Sequence, residues 1–331
     1  MPTAADASSA GATVPSSRPV DRAALARWAR RQHLQREAPW LHGEVARRMA
    51  ERLVLFKAQP KVVIDWWAAT GGSGAALAGA FPQARVIEVA PDIVGAAVHG
   101  RAPSFEAPWW SAARWRRKPA SVEAAAVPEG SGQLLWANMM LHAVADPPAV
   151  MRRWREVLAV EGLLMFSTLG PDTLASLRSV YREAGWGPPH APFTDMHDLG
   201  DMLGEAGLAD PVMDQERLRL TWATPEALLA ELRTLGVNAD PSRHRGLRTP
   251  RWRGRLLGAL REQAQGQGDH DGRIALDFEL VYGHAFKPAP RARVAAETRL
   301  PLDEMRRMVR SGRKTDAPRW ARGSSELGSL G

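Results

Sequence analysis

The sequence contains no cysteine, which excludes structural disulfides and thiolate metal sites. It contains no run of about 18 apolar residues either, so we expect no transmembrane helix. Residues 1–20 lack the basic start and apolar core of a signal peptide, and their Ala, Ser, Pro and Thr content predicts a disordered tail. These absences favour a cytoplasmic protein.

Modules that recognise nucleic acids are also missing. The chain has no zinc-ligand spacing, no RNA-binding aromatic box and no heptad-linked basic region, although its formal net charge is +8. A basic surface attracts nucleic acid, anionic lipid or an acidic protein. The same arginines can instead be solvated side chains on helix faces. The sequence therefore does not favour nucleic acid as the partner.

Strand-like and helix-like segments alternate along the chain as far as residue 286. Residues 21–58 are predicted to be helical, because Val45, Met49 and Leu53 recur at four-residue steps. Buried strands are predicted over 61–65, 84–89, 134–138, 163–168 and 274–286, and helices lie between them. This alternation predicts an α/β fold with a doubly wound, mainly parallel sheet, a helical N-terminal arm and inserted helices around 225–270.

Three regions follow from this pattern. We expect a disordered tail over 1–20, one domain over 21–290, and a basic, partly disordered C-terminal extension over 291–331. Within the domain, the segment 101–118 combines Trp109, Trp110 and Trp115 with several Arg and Lys residues. Its tryptophans either cover an edge of the sheet or contact a partner.

The loop after the first predicted strand is typical of a nucleotide-binding site. The strand ends in Asp65, and a turn rich in small residues follows, in which glycine lets the backbone approach a ligand. The run from Val62 to Pro91 resembles the first two motifs of the class I S-adenosylmethionine-dependent methyltransferases. The resemblance places Asp65 at the first acidic position and Thr70 and Gly71 at the end of the loop.

Several positions depart from that family's pattern. Trp67 and Ala69 stand where the first two loop glycines are expected, and Ala90 replaces the second acidic residue, although Glu88 lies two positions earlier. Hydrogen bonds from ribose hydroxyls to a carboxylate are worth about 1.5–3 kcal/mol each. Gln133 replaces an aspartate, and residues 28–34 lack the tyrosine that closes over the cofactor in the family. The resemblance implies S-adenosylmethionine as the cofactor, and these departures leave open whether its binding is retained, weakened or lost.

Residues 35–290 resemble one subfamily more closely, the malonyl-acyl-carrier-protein O-methyltransferases of biotin synthesis (BioC type). The segments Phe166–Arg178 and Asp195–Asp214 are the most specific parts. The resemblance implies that the free carboxylate of a malonyl thioester attacks the methyl group of S-adenosylmethionine. It implies an acyl carrier protein as partner, whose acidic surface the positive charge of this chain would attract.

The resemblance also suggests which residues act in the site. Asp65, Thr70, Gly71, Glu88 and Asn138 are the predicted cofactor-binding residues, and Asn138 follows the strand at whose carboxyl end ligands bind in such sheets. The predicted catalytic residues, as donors to the substrate carboxylate, are His142, Tyr282 and His284. His142 could instead cap a strand end, and Tyr282 could be a core aromatic. No metal ligand is predicted.

Two functions remain open at this point. The chain is either a working methyltransferase of the biotin-pathway type or a degenerate relative that keeps the fold and serves as a binding or regulatory protein.

Overall fold

The computed structural model describes residues 18–34, 38–56, 59–91, 121–266 and 272–290, with Leu302, Asp303 and Arg306. The chain divides into two units, 1–289 and 290–331, and the elements named below belong to the first. The segment 101–118, residues 1–17 and most of 291–331 lie outside the described residues. No helix in the described ranges has the length and apolar content needed to cross a membrane.

Helices and strands alternate as the sequence predicts. The helices are α1 Arg22–Leu34, α2 Trp40–Arg52, the single turn α3 Ala68–Gly71, α4 Gly74–Ala80, α5 Pro147–Val157, α6 Ala175–Glu183, α7 Met196–Glu205, α8 Pro225–Leu235 and α9 Pro250–Gly266. The strands are β1 Val62–Trp66, β2 Arg85–Val89, β3 Gly132–Ala137, β4 Leu158–Leu169, β5 Ala209–Trp222 and β6 Ile274–Phe286.

The six strands form one sheet in the order β2-β1-β3-β4-β6-β5. β2, β1, β3 and β4 are parallel to one another, and β6 is antiparallel to both β4 and β5. Beyond β2, Val122 forms a single parallel bridge to Val89. The carboxyl ends of β1, β3 and β4 therefore meet at one edge of the sheet, which we call the carboxyl edge.

Buried side chains cover both faces of the sheet. A cluster on one face contains side chains of α1, α5 and α7, and within it Trp154 of α5 makes ring contacts with Trp66 of β1 and Phe166 of β4. A second cluster on the opposite face contains side chains of α2, α4, α6, α8 and α9. We call them the α1-side and α2-side clusters. The predicted doubly wound α/β fold is confirmed.

Short polar side chains begin three of the helices. Asp146 accepts a hydrogen bond from Ala149 N, Asp195 from His197 N and Thr224 from Ala227 N, and each satisfies a backbone donor that a helix start leaves unpaired. Prolines occupy the first turns of α5 and α8, where their missing N–H costs nothing.

Two features differ from the sequence-based expectation. The predicted helix over 21–58 is two helices, and α2 begins directly after Pro39. The strand β5 was not predicted, because only alternate residues such as Leu218, Leu220 and Trp222 pack against the core. It forms because it pairs with β6 along most of its length.

The β5–β6 pair also extends past the rest of the sheet. The last residue of β4, Leu169, pairs with Leu280, whereas β6 continues to Ile274 opposite Trp222. The insertion that contains α8 and α9 leaves and rejoins the sheet at these extended ends. It therefore starts and finishes beyond the carboxyl edge.

Candidate cofactor site

The loop after β1 has the backbone of a glycine turn with a tryptophan in it. Trp67 has a left-handed backbone with φ of 59°. This conformation is unfavourable for residues that have a Cβ atom and favours glycine. Ala69, at the second expected glycine, lies in the right-handed turn α3 and is exposed. Only the first of the two replaced glycines therefore carries backbone strain.

The indole of Trp67 is packed into the core. It is 2% exposed and belongs to the α1-side cluster together with Trp28 of α1 and Trp66. The helix α1 packs against α3, which places it over the loop. The indole nitrogens of these three tryptophans find no hydrogen-bond partner among the described residues. Burial of apolar surface thus compensates for the strained backbone.

The side chain of Asn138 joins three elements at the carboxyl edge. Its Nδ2 donates to the carbonyls of His42 in α2 and of Gly71, at 2.8 and 2.5 Å, and its Oδ1 accepts from Ser167 Oγ at 2.7 Å. The next residue, Met139, is left-handed with φ of 50° and donates its N–H to Ser167. The predicted cofactor residue Asn138 therefore has its amide engaged within the protein.

Thr70 and Gly71 are engaged in the same way. Their N–H groups and the Thr70 hydroxyl donate to Trp67 O, and Thr70 O accepts from His42 Nδ1 at 2.7 Å. Burial lowers the pKa of His42 to about 4 against the opposing effect of this bond, so the ring is neutral at pH 7. Sequence reasoning missed His42, whose only signal is its place beside the apolar stripe of α2.

Asp65 is a buried acidic residue of the site that lacks a full set of hydrogen-bond partners among the described residues. Its side chain is 2% exposed, and no hydrogen bond from a described residue reaches Oδ1. Burial, and to a lesser degree the neighbouring Glu88, raise the pKa of Asp65 to about 8, while a hydrogen bond from Ser73 opposes the shift. Ser73 Oγ in turn accepts from Trp136 Nε1 at 2.9 Å.

Glu88 stands beside Asp65 in the sheet. The two residues are paired in the register of β1 and β2, so their side chains project to the same face, and the Glu88 side chain is half-buried. Two neighbouring carboxyls, one with an unpartnered oxygen, are suited to a cationic ligand that would remove the desolvation and repulsion together. Ala90 is buried just past the end of β2 and offers no such group.

His142 lies in the turn after β3, next to a cation from the N-terminal segment. Burial and the proximity of His42 and Arg18 lower the pKa of His142 to about 3, so its ring is neutral, and Nδ1 has no described partner. Arg18 donates to the carbonyls of His142 and Pro192. Sequence reasoning placed Arg18 in the disordered tail and gave no signal for this contact.

Tyr282 and His284 make their contacts away from this cluster. The Tyr282 hydroxyl donates to Glu216 Oε1 at 3.0 Å, and the guanidinium of Arg52 lies 3.8 Å from its ring centroid. Burial, with Glu216 contributing, holds the pKa of Tyr282 above its usual value. His284 packs edge-on against Phe56 at 4.8 Å. Of the three predicted catalytic residues, the structure brings only His142 next to Asn138 and the loop.

The left-handed backbone at Trp67 generates a stability prediction. Trp67→Ala and Trp67→Gly both remove the buried indole, at a cost of about 3–5 kcal/mol. We expect the glycine variant to be more stable than the alanine variant by about 1 kcal/mol, because glycine relieves the strain. Urea unfolding of the two variants measures the difference.

Ala69→Gly is the matched control for this pair. It lies two residues on in a right-handed turn, where glycine is expected to lower stability by about 0.5–1 kcal/mol. A glycine variant at position 67 that is less stable than the alanine variant would show that the backbone there is not left-handed.

Comparisons with known proteins identify the family of this chain. Residues 35–210 match the family described as "Methyltransferase domain". A "Malonyl-[acyl-carrier protein] O-methyltransferase" from Gallionella capsiferriformans is 39% identical over 257 residues, which cover 76% of this chain and 85% of that protein. A protein of the same name from Halorhodospira halophila is 36% identical over 83% of this chain and 91% of its own length.

Among solved structures, the YcgJ protein of Bacillus subtilis is similar with a TM-score of 0.46 and 13% identity, over 73% of this chain and 98% of that one. The matched family covers more than half of this chain, and the curated relatives are matched over most of their length. The sequence resemblance to the methyltransferases is thus confirmed. The chain belongs to the methyltransferase-domain family and, within it, to the family of the malonyl-[acyl-carrier protein] O-methyltransferases.

Proposed function

We propose that this protein methylates the free carboxylate of a malonyl-acyl-carrier-protein thioester, with S-adenosylmethionine as the methyl donor. The observation that carries the proposal is the 39% identity to a curated methyltransferase of that name over 85% of its length. The resemblance implies a place in biotin synthesis. None of the comparisons favours the alternative of a non-catalytic relative.

The residues around Asp65 fit a cationic cofactor. The buried Oδ1 of Asp65 has no described partner and stands beside the Glu88 carboxyl, so a sulfonium with an ammonium group supplies the charge that this pair lacks. Asp65 and Glu88 are the proposed holding residues. Thr70, Gly71 and Asn138 support the cofactor indirectly, because their polar groups are engaged in shaping the loop.

The reaction places modest demands on the protein. When bound, S-adenosylmethionine would supply an electrophilic methyl group to a carboxylate oxygen of the substrate, with S-adenosylhomocysteine as the leaving group. A carboxylate is already the nucleophile at pH 7, so no general base is required. The protein's part is to orient the two reactants and to place charge around them.

Arg18 is our candidate for binding the substrate carboxylate. Its guanidinium is half-buried, and burial lowers its pKa, yet no acidic side chain among the described residues pairs with it. Two of its N–H groups hold the carbonyls of His142 and Pro192, which leaves other donors for a carboxylate. The neutral His142 ring, with its unpartnered Nδ1, lies beside it.

Methyl transfer by the purified full-length chain tests the proposal directly. We expect saturable calorimetric binding of S-adenosylmethionine below millimolar concentration, and transfer of a labelled methyl group to malonyl-acyl-carrier protein as a base-labile ester. The acyl carrier protein without its malonyl group is the control substrate. No binding at millimolar cofactor, together with no labelled ester, would reject the proposal.

A substitution at Arg18 separates substrate binding from cofactor binding. Arg18→Gln should raise KM for malonyl-acyl-carrier protein by about 10- to 100-fold, since a charged hydrogen-bonding partner is worth about 1.5–3 kcal/mol. The affinity for S-adenosylmethionine should stay unchanged. Arg22→Gln, an exposed residue at the start of α1, is the matched control and should alter neither quantity. An unchanged KM in Arg18→Gln removes Arg18 from the site.

Cofactor binding should release a proton from Asp65. With a pKa of about 8, the empty site holds this carboxyl mostly protonated at pH 7, and a nearby cation favours its ionised form. We expect up to one proton released per cofactor at pH 7, a release that falls to about half at pH 8 and is almost gone at about pH 10, where Asp65 is already ionised. Binding enthalpies in buffers of different ionisation heat measure it. Equal release by Asp65→Asn would assign the proton elsewhere.

A further inference from the structure

The insertion between β5 and β6 carries a concentrated positive charge. Residues 241–255 contain six arginines and no acidic residue. They form the connection from α8 to α9 and the first turns of α9. Like charges at this density repel one another, so an anionic partner nearby would stabilise them.

Two of these arginines fix the segment in place. Arg243 pairs with Asp21, which directly precedes α1, with an N–O distance of 2.6 Å. Arg248 donates to Trp186 O at 2.8 Å, and its guanidinium lies 4.5 Å from the ring centroid of Trp252. The segment between them is therefore held against the domain, and its remaining side chains are presented in a defined place.

Three other arginines point outward. Arg245, Arg251 and Arg253 are exposed, and no acidic side chain in the described part of the chain pairs with them. Leu247, which lies between the first two, is 98% exposed. Arg251 and Arg253 stand in the first turn of α9, where the helix dipole disfavours cations. We call Arg245, Leu247, Arg251 and Arg253 the arginine patch.

The arginine patch belongs to the same side of the molecule as the proposed site. The insertion joins the sheet at Trp222 and Ile274, beyond the end of β4 at the carboxyl edge. A second connection runs through the N-terminal segment, where Arg18 contacts His142 and, three residues later, Asp21 contacts Arg243. A macromolecule bound at the patch would therefore be near the entrance for a tethered substrate.

We propose that the arginine patch is the docking surface for the acidic acyl carrier protein, an inference that rests on the proposed function. The arginines bind carboxylates of the carrier, and Leu247 contacts an apolar side chain between them. Charge complementarity of this kind speeds the encounter of two proteins and sets their orientation.

A charge-reversal variant with a matched control tests this surface. The patch variant combines Arg245→Glu, Arg251→Glu and Arg253→Glu. The control variant combines Lys61→Glu, Arg85→Glu and Arg152→Glu, which are exposed cations at the start of β1 and β2 and on α5, so both variants have the same net charge. Fluorescence anisotropy measures binding of labelled holo-acyl carrier protein, and initial rates give KM and kcat.

The patch variant should bind the carrier at least about tenfold more weakly than the wild type and show a KM raised by a similar factor. Its affinity for S-adenosylmethionine and its rate with malonyl-coenzyme A, which lacks the carrier protein, should match the wild type. The control variant should lose less than about threefold. Equal losses in both variants, or an unchanged patch variant, would overturn the docking assignment.

The two proposals fail separately in this design. Patch-dependent carrier binding without methyl transfer by the wild type would reject the proposed function and retain the docking surface. Methyl transfer that is unaffected by the patch substitutions would retain the proposed function and reject the docking surface. Wild-type chain that binds no carrier, or a duplex DNA that binds through the patch in its place, rejects carrier docking. If the triple variant loses its native circular dichroism, the single variants Arg251→Glu and Leu247→Ser replace it. The product of their two fold-losses in carrier affinity should then reach about tenfold.

Discussion

The geometry of the carboxyl edge depends on one buried amide, that of Asn138. It connects α2, the loop after β1 and strand β4 through three hydrogen bonds, and it is fully excluded from solvent. Without it, the buried Gly71 carbonyl and the buried Ser167 hydroxyl would each lose a hydrogen bond, at a cost of about 1–3 kcal/mol apiece. The left-handed Met139 and the turn that carries His142 come directly after Asn138 in the chain. The positions of His42, the loop after β1 and the end of β4 relative to one another are therefore fixed through an amide whose polar atoms are engaged within the protein.

Around this fixed edge, the protein tolerates groups that lower its stability. Asp65 keeps a carboxyl oxygen buried without a partner, and Trp67 keeps a side chain on a left-handed backbone. Groups of both kinds are concentrated at functional sites, where the fold holds them in place for a ligand. The candidate site also contains groups of both charge types, the carboxyls of Asp65 and Glu88 and the guanidinium of Arg18. The two carboxyls suit a cationic methyl donor, and the guanidinium suits an anionic acceptor, so one edge can order two oppositely charged reactants.

Much of the architecture could be predicted from the sequence, because β1, β3 and β4 are continuous apolar runs and the small-residue loop follows the first of them. The strand β5 could not, since only alternate side chains are buried and the rest form a polar edge. Asp65 was found because it ends a buried strand. The hydrogen bonds of Asn138 could not be predicted, because the two carbonyls that accept them lie 67 and 96 residues away in the chain. Every residue has a backbone carbonyl, so the sequence does not show which of them accept a bond from Asn138. Arg18 could not be predicted as a site residue, because the Ala, Ser, Pro and Thr content of residues 1–20 predicted a disordered tail there.

The packing of Trp67 beneath α1 has a consequence for how this lineage could have diverged. Trp28 stands in the stretch that lacks the family's tyrosine, Trp67 stands at the missing glycine, and both rings belong to one buried cluster. The two departures, 39 positions apart, thus contribute indole rings to the same buried cluster. Replacing either indole alone by a smaller side chain would leave a cavity in that cluster, so changes at the two positions are expected to be inherited together. Covariation of positions 28 and 67 among near relatives would be the evidence for this shared constraint.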